Sequence, residues 1–130
     1  MARKLASFTI GYPHGIVVIS DHDGSDPAPL WEDGDPSAIV SASPGTVMVK
    51  VRNAVVGPVT VDIWNGTDAP VIGQRCFDGH VRIAYGRLSV ADAEDTSRIV
   101  VGAGPGPVPV QIFVEPWSFA GHVTVVLDTD

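Results

Sequence analysis

Residues 45–64 read GTVMVKVRNAVVGPVTVDIW, and their period decides the fold class. In the first arm Val47, Val49 and Val51 alternate with Thr46, Met48, Lys50 and Arg52. In the second, Val59, Val61 and Ile63 alternate with Thr60, Asp62 and Trp64. A strand sends successive side chains to opposite faces, so each arm carries one β-branched face and one mostly polar face. No helical stripe has that period. The arms read as a central pair of half-buried strands in an antiparallel sheet, joined through Ala54-Val55-Val56.

The same grammar extends in both directions. Upstream, Leu5, Phe8 and Ile10 form a first strand that ends at Gly11-Tyr12-Pro13. Residues 15–20, GIVVIS, are a continuous apolar run, and 38–42, AIVSA, a short strand. Downstream come 75–85, RCFDGHVRIAY, then 87–91, RLSVA, and a short strand from Ser97 to Gly102. Residues 108–115 alternate, with Pro109 favouring an edge position or a bulge. The chain closes on HVTVVLD, 122–128. Asn65-Gly66 and Gly86 mark reversals, and residues 92–97, DAEDTS, read as a solvated acidic loop or one helical turn.

About nine short strands, and no amphipathic helix, make the class all-β. A single antiparallel two-layer β-sandwich over residues 1–130 fits better than a closed barrel, because a small barrel rarely accommodates a strandless insertion like 21–37.

That insertion, DHDGSDPAPLWEDGDPS, concentrates charge. The chain has a formal net charge of −7. No Lys or Arg lies between Lys4 and Lys50, while Asp21, Asp23, Asp26, Glu32, Asp33 and Asp35 fall in the gap. Such a surface is a poor direct binder of nucleic acid, which needs cations, and attracts a basic partner instead. Trp31 within it either plugs one end of the core or anchors a partner contact, where tryptophan is enriched. Asp21, Asp23, Ser25 and Glu32 occupy positions 1, 3, 5 and 12 of a calcium-loop pattern, but Asp26 stands where glycine belongs, and prolines 27 and 29 break the loop.

The remaining chemistry is sparse. His14, His22, His80 and His122 lack ligand spacing, although His14 and His22 flank one strand and could approach each other. The single cysteine, Cys76, has no catalytic signature and reads as a packed residue. GAGPGP, 102–107, lacks the Lys-Ser/Thr ending of a phosphate loop. Trp64, Phe113, Trp117 and Phe119 fall on polar faces or in a loop, where large aromatics either cover a second layer or form a contact patch; Trp64, Phe113 and Trp117 make the alternative aromatic interface, with Met48 sharing the polar parity. No catalytic residue, metal ligand or cofactor is expected. The lone cysteine fits a reducing, cytoplasmic compartment, and nothing resembles a signal peptide or a bilayer-spanning run.

The order of these segments resembles the competence protein J family, small bacterial β proteins whose founding type inhibits a nuclease of the DNA-uptake machinery. The likeness is carried by SFTIGYPHG leading into GIVVIS, a polar loop with Trp31 followed by acids, PGTVMVKV, GPVTVDIW, GRLSV, PVPVQIFV ending in Trp117, and HVTVVLD. The Glu32-Asp33-Gly34-Asp35 loop is shorter and more acidic than the family pattern. The resemblance implies a non-catalytic binding protein, an inhibitor or immunity-type protein that caps a basic nuclease or toxin through the 21–35 segment. A structural β module, self-associating as a homo-oligomer through its aromatic face, is the alternative.

Overall fold

A computed structural model describes residues 1–24 and 38–129. Ten strands follow in chain order: β1 (Arg3–Ile10), β2 (Ile16–Asp21), β3 (Val40–Ser43), β4 (Thr46–Lys50), β5 (Val59–Asn65), β6 (Gln74–Ile83), β7 (Arg87–Asp92), β8 (Arg98–Gly102), β9 (Gly106–Glu115) and β10 (His122–Leu127). They form two five-stranded sheets, ordered β1-β5-β10-β9-β6 and β3-β4-β2-β7-β8. The described residues contain no helix. The expected all-β sandwich is the observed architecture. All strand pairings are antiparallel except β5 with β10, which run parallel from Thr60↔His122 to Asn65↔Leu127.

The inward faces are the β-branched ones. Val59, Val61, Ile63, Val123, Val125, Ile112 and Val114 of the first sheet are fully buried against Val17, Ile19, Val47, Val49 and Leu88 of the second. Branched side chains stand off a pleated surface and pack well there, which is why these segments became strands.

The two arms of 45–64 are not a pair. β4 belongs to one sheet and β5 to the other. The segment between them carries the chain across the end of the sandwich. It is tied there by Val51 N–H to the Gly15 carbonyl at 2.8 Å, Arg52 N–H to the Ala120 carbonyl at 3.0 Å, and Ala54 N–H to the Tyr12 carbonyl at 3.1 Å. An eight-residue connection can close a hairpin or bridge two layers, and side-chain period does not distinguish the two.

Alternation also fails within β4. Thr46 and Met48 are buried along with Val47 and Val49, so both faces are covered. β7 behaves likewise, with Leu88, Ser89, Val90 and Ala91 all buried. Met48 therefore lies on the opposite sheet from Trp64 and cannot join an aromatic patch with it. β9 sits inside its sheet, between β10 and β6, and Pro109 nevertheless fits. Its carbonyl accepts from Asp128 N–H at 3.1 Å, so its missing N–H faces a stretch where β10 has already ended. The bulge of this strand pair is on β6, between Arg75 and Phe77.

Asp92 is buried rather than solvated. Its carboxylate accepts from Thr96 N–H at 2.7 Å, Ser97 N–H at 3.1 Å and the Thr96 hydroxyl, closing the β7–β8 turn. Burial alone would raise its pKa; these bonds outweigh it and hold the carboxyl below the usual carboxylate range.

Candidate functional site

Strand direction sorts the loops. Asp21, Gly45, Ala84–Gly86 and Ala103–Pro105 gather at one end of the sandwich, here the Asp21 end. Residues 11–15, 51–58, 93–97 and 116–121 gather at the other, the Phe119 end.

At the Asp21 end β2 stops in a turn that its own carboxylates organise. Asp21 accepts from Asp23 N–H at 3.2 Å through Oδ1 and from Ala84 N–H at 3.1 Å through Oδ2. Asp23 receives a two-pronged guanidinium from Arg87, Nε donating to Oδ2 at 3.1 Å and Nη2 to Oδ1. Arg98 reaches along the outer face of its sheet, with Nε on Asp95 at 2.7 Å and Nη1 3.0 Å from His22 Nδ1. These groups rim a cleft of about 530 Å³ whose floor is Val18, Ser20 and Thr46 and whose wall includes Arg82 and Tyr85. Asp21 and Asp23, both expected in the acidic contact segment, thus lie together at its root. Asp26, Trp31, Glu32, Asp33 and Asp35 lie outside the described residues, as does the greater part of the calcium-loop pattern.

A second polar cluster sits on the outer face of the other sheet, where β1, β5 and β10 are neighbours. Asp62 Oδ1 accepts from the Ser7 hydroxyl at 2.5 Å, and Oδ2 lies 2.8 Å from His122 Nε2. Lys4 Nζ stands 3.5 Å from Oδ1 and 5.4 Å from the Trp64 ring centroid. Burial works to raise the Asp62 pKa, but the bonds from Ser7 and His122 and the charge of Lys4 prevail and lower it. Serine, aspartate and histidine are all present, yet the carboxylate stands between the other two. The serine proton points at Asp62, and no bond joins serine to histidine as a nucleophile and its base require. The trio is a cross-strand brace. Sequence reasoning saw Asp62 only as a polar position. Its partners are about 55–60 residues away and become neighbours only through the β5 register, including the parallel β10 pairing.

The aromatic residues divide. Trp64 and Phe113 share that outer face, one on each side of β10, and Thr124 and Val126 between them are nearly inaccessible. Trp117 is instead in the β9–β10 loop at the Phe119 end. Exposed beside it are Val55 (95%), Val56 (69%) and Phe119 (75%). Phe119 has φ 55°, a left-handed conformation that costs a residue with a β-carbon about 1–2 kcal/mol. The sequence singles out Trp117 and Phe119 at this end but not Val55 and Val56, which pass for hairpin filler.

The histidines do not converge. His14 bonds Glu94 at the Phe119 end, and His22 turns to Arg98. Among the described residues, no three of His, Cys, Asp or Glu are grouped as a metal site requires. Cys76 is the bulge residue of β6, and burial pushes its thiol up to about 12, so it is protonated and unreactive at neutral pH.

The sequence matches no family model and no curated protein. Two solved structures match in fold. One is the crystal structure of ComJ, inhibitor of the DNA-degrading activity of NucA, from Bacillus subtilis: TM-score 0.77, 11% identity, covering 100% of this chain and 99% of that one. The other is the product of crocagin biosynthetic gene J, with TM-score 0.59 and 12% identity over the same shares. The chain therefore has the ComJ fold.

Proposed function

We propose that this chain is a non-catalytic, inhibitor-type protein whose partner is a nuclease. The observation that carries the reading is the end-to-end fold likeness to a nuclease inhibitor, joined to the chain's own net charge of −7. A nuclease holds its substrate in a basic cleft, and an acidic protein of fixed shape can occupy that cleft. In this reading the contact is the segment rooted at Asp21 and Asp23, with Asp26, Glu32, Asp33 and Asp35 around a Trp31 anchor. Asp21 and Asp23 hold the root in place through Ala84 and Arg87, leaving the acids beyond them to meet the partner. Long-range attraction then speeds encounter, while the desolvated tryptophan slows release.

Affinity capture from the native host, followed by a nuclease assay on the eluate, tests the proposal. A captured nuclease that is silent in the complex and active after high-salt release supports it. An eluate without nuclease, or one fully active while bound, sinks it.

A further inference from the structure

We infer that the free edge of β8 is a self-association surface through which two copies of this chain join their sheets. The inference stands independently of the inhibitor reading. It begins from how the sheet edges are finished. An unpaired strand is a template for another chain, and proteins blunt it with bulges, charges or brevity. β1 has a bulge between Lys4 and Ala6. β6 has one between Arg75 and Phe77, followed by Asp78, His80 and Arg82. β3 is only four residues long. β8, RIVVG, pairs with β7 in unbroken register and has no proline, no bulge and no charge after Arg98.

The register says which groups are free. Asp92 N–H bonds the Ser97 carbonyl and Ala103 N–H the Gly86 carbonyl, so odd-numbered residues of β8 face β7. The backbone N–H and C=O of Arg98, Val100 and Gly102 therefore point away from the sheet, unused among the described residues. Val100 is also 41% exposed.

Gly102 supplies the second observation. Its φ is not left-handed, and a β-carbon there would meet nothing within 4 Å. Among the described residues, neither backbone nor packing asks for glycine. With no bulge at this position, a strand glycine is suited to the close approach of another backbone. The edge is self-complementary about Val100. In an antiparallel pair with a two-fold axis through that residue, Val100 faces Val100 and Arg98 of each copy faces Gly102 of the other. Arg98 is held back over its own sheet by Asp95 and His22, and Gly102 puts no side chain into the seam. About six backbone hydrogen bonds form. The inner faces stay on one side, so Val101 of each copy comes opposite Ile99 of the other, at the rim of the groove that Ile99 lines with Phe8, Ile10 and Val90.

Sedimentation of the full chain up to about 0.5 mM, a range that reaches weak pairs, tests this with Val100→Pro and Val100→Lys. Proline removes an outward N–H that no described residue uses, and lysine charges the edge without touching the backbone. The expected result is a species of twice 13.6 kDa for the natural chain and 13.6 kDa for both variants, with unchanged far-ultraviolet circular dichroism. If Val100→Pro fails to fold, Val100→Lys decides. A natural chain that is monomeric throughout, or a dimer that persists in folded Val100→Lys, overturns the inference.

Discussion

At the Asp21 end, charged side chains meet the turning backbone and engage one another: Asp21 with Ala84, Asp23 with Arg87, Arg98 with His22. At the Phe119 end Val55, Val56 and Phe119 stand in solvent, and the order is supplied from beneath by backbone bonds and by Asp92. The first end is a surface whose charges are fixed in place, suited to presenting a field. The second is tied by a buried acceptor and by local bonds of Arg52 and Asn53 to loop carbonyls, while the side chains of Val55, Val56 and Phe119 have no polar group with which to engage a neighbour. Stability at the Phe119 end should therefore depend strongly on Asp92 and scarcely on the exposed valines.

The strongest test of that contrast is Asp92→Ala. It removes the acceptor of two backbone N–H groups and a hydroxyl, and should cost about 3 kcal/mol in urea unfolding. The sign with pH follows from the depressed carboxyl. Its stabilisation is complete above the unfolded value, about pH 4, and is lost as pH falls through the lower folded value. Asp92→Asn should accordingly flatten the acid limb of the stability curve. Next in size, neutralising Asp26, Glu32, Asp33 and Asp35 together should slow association with a captured nuclease by about tenfold and flatten its salt dependence. Serine at Val55 and Val56 should leave that rate unchanged. If the valine variant binds worse than the charge variant, the roles of the two ends are reversed. Asp21→Ala removes the acceptor of Ala84 N–H and Asp23 N–H and should cost about 1 kcal/mol by thermal melting. Phe119→Gly relieves a left-handed φ and should gain about 1 kcal/mol in the same measurement. The valine variant should stay within about 0.5 kcal/mol of the natural chain.

Much of the architecture was readable because inward faces are built from Val and Ile at strict period. β5 shows this plainly, with Asp62 and Trp64 on its other face. What period cannot carry is sheet membership. Val47 and Val61 have the same signature and end in different sheets, since the assignment depends on where Arg52 and Ala54 find carbonyls. Strands covered on both faces were a second blind spot. Thr46 and Met48 are small or uncharged enough to be buried, but nothing local forces it. The Ser7–Asp62–His122 brace was illegible for a related reason, as it exists only where three distant strands align. Asp21 and Asp23 could be found from charge spacing alone, whereas their tie to Arg87 could not.

The measurement that bears most directly on the chain as a nuclease inhibitor is steady-state DNA hydrolysis by the captured nuclease while purified chain is added. Activity should fall linearly to near zero at one equivalent per nuclease, and return when salt separates the two. Hydrolysis that continues undiminished past several equivalents would contradict an inhibitor in this fold.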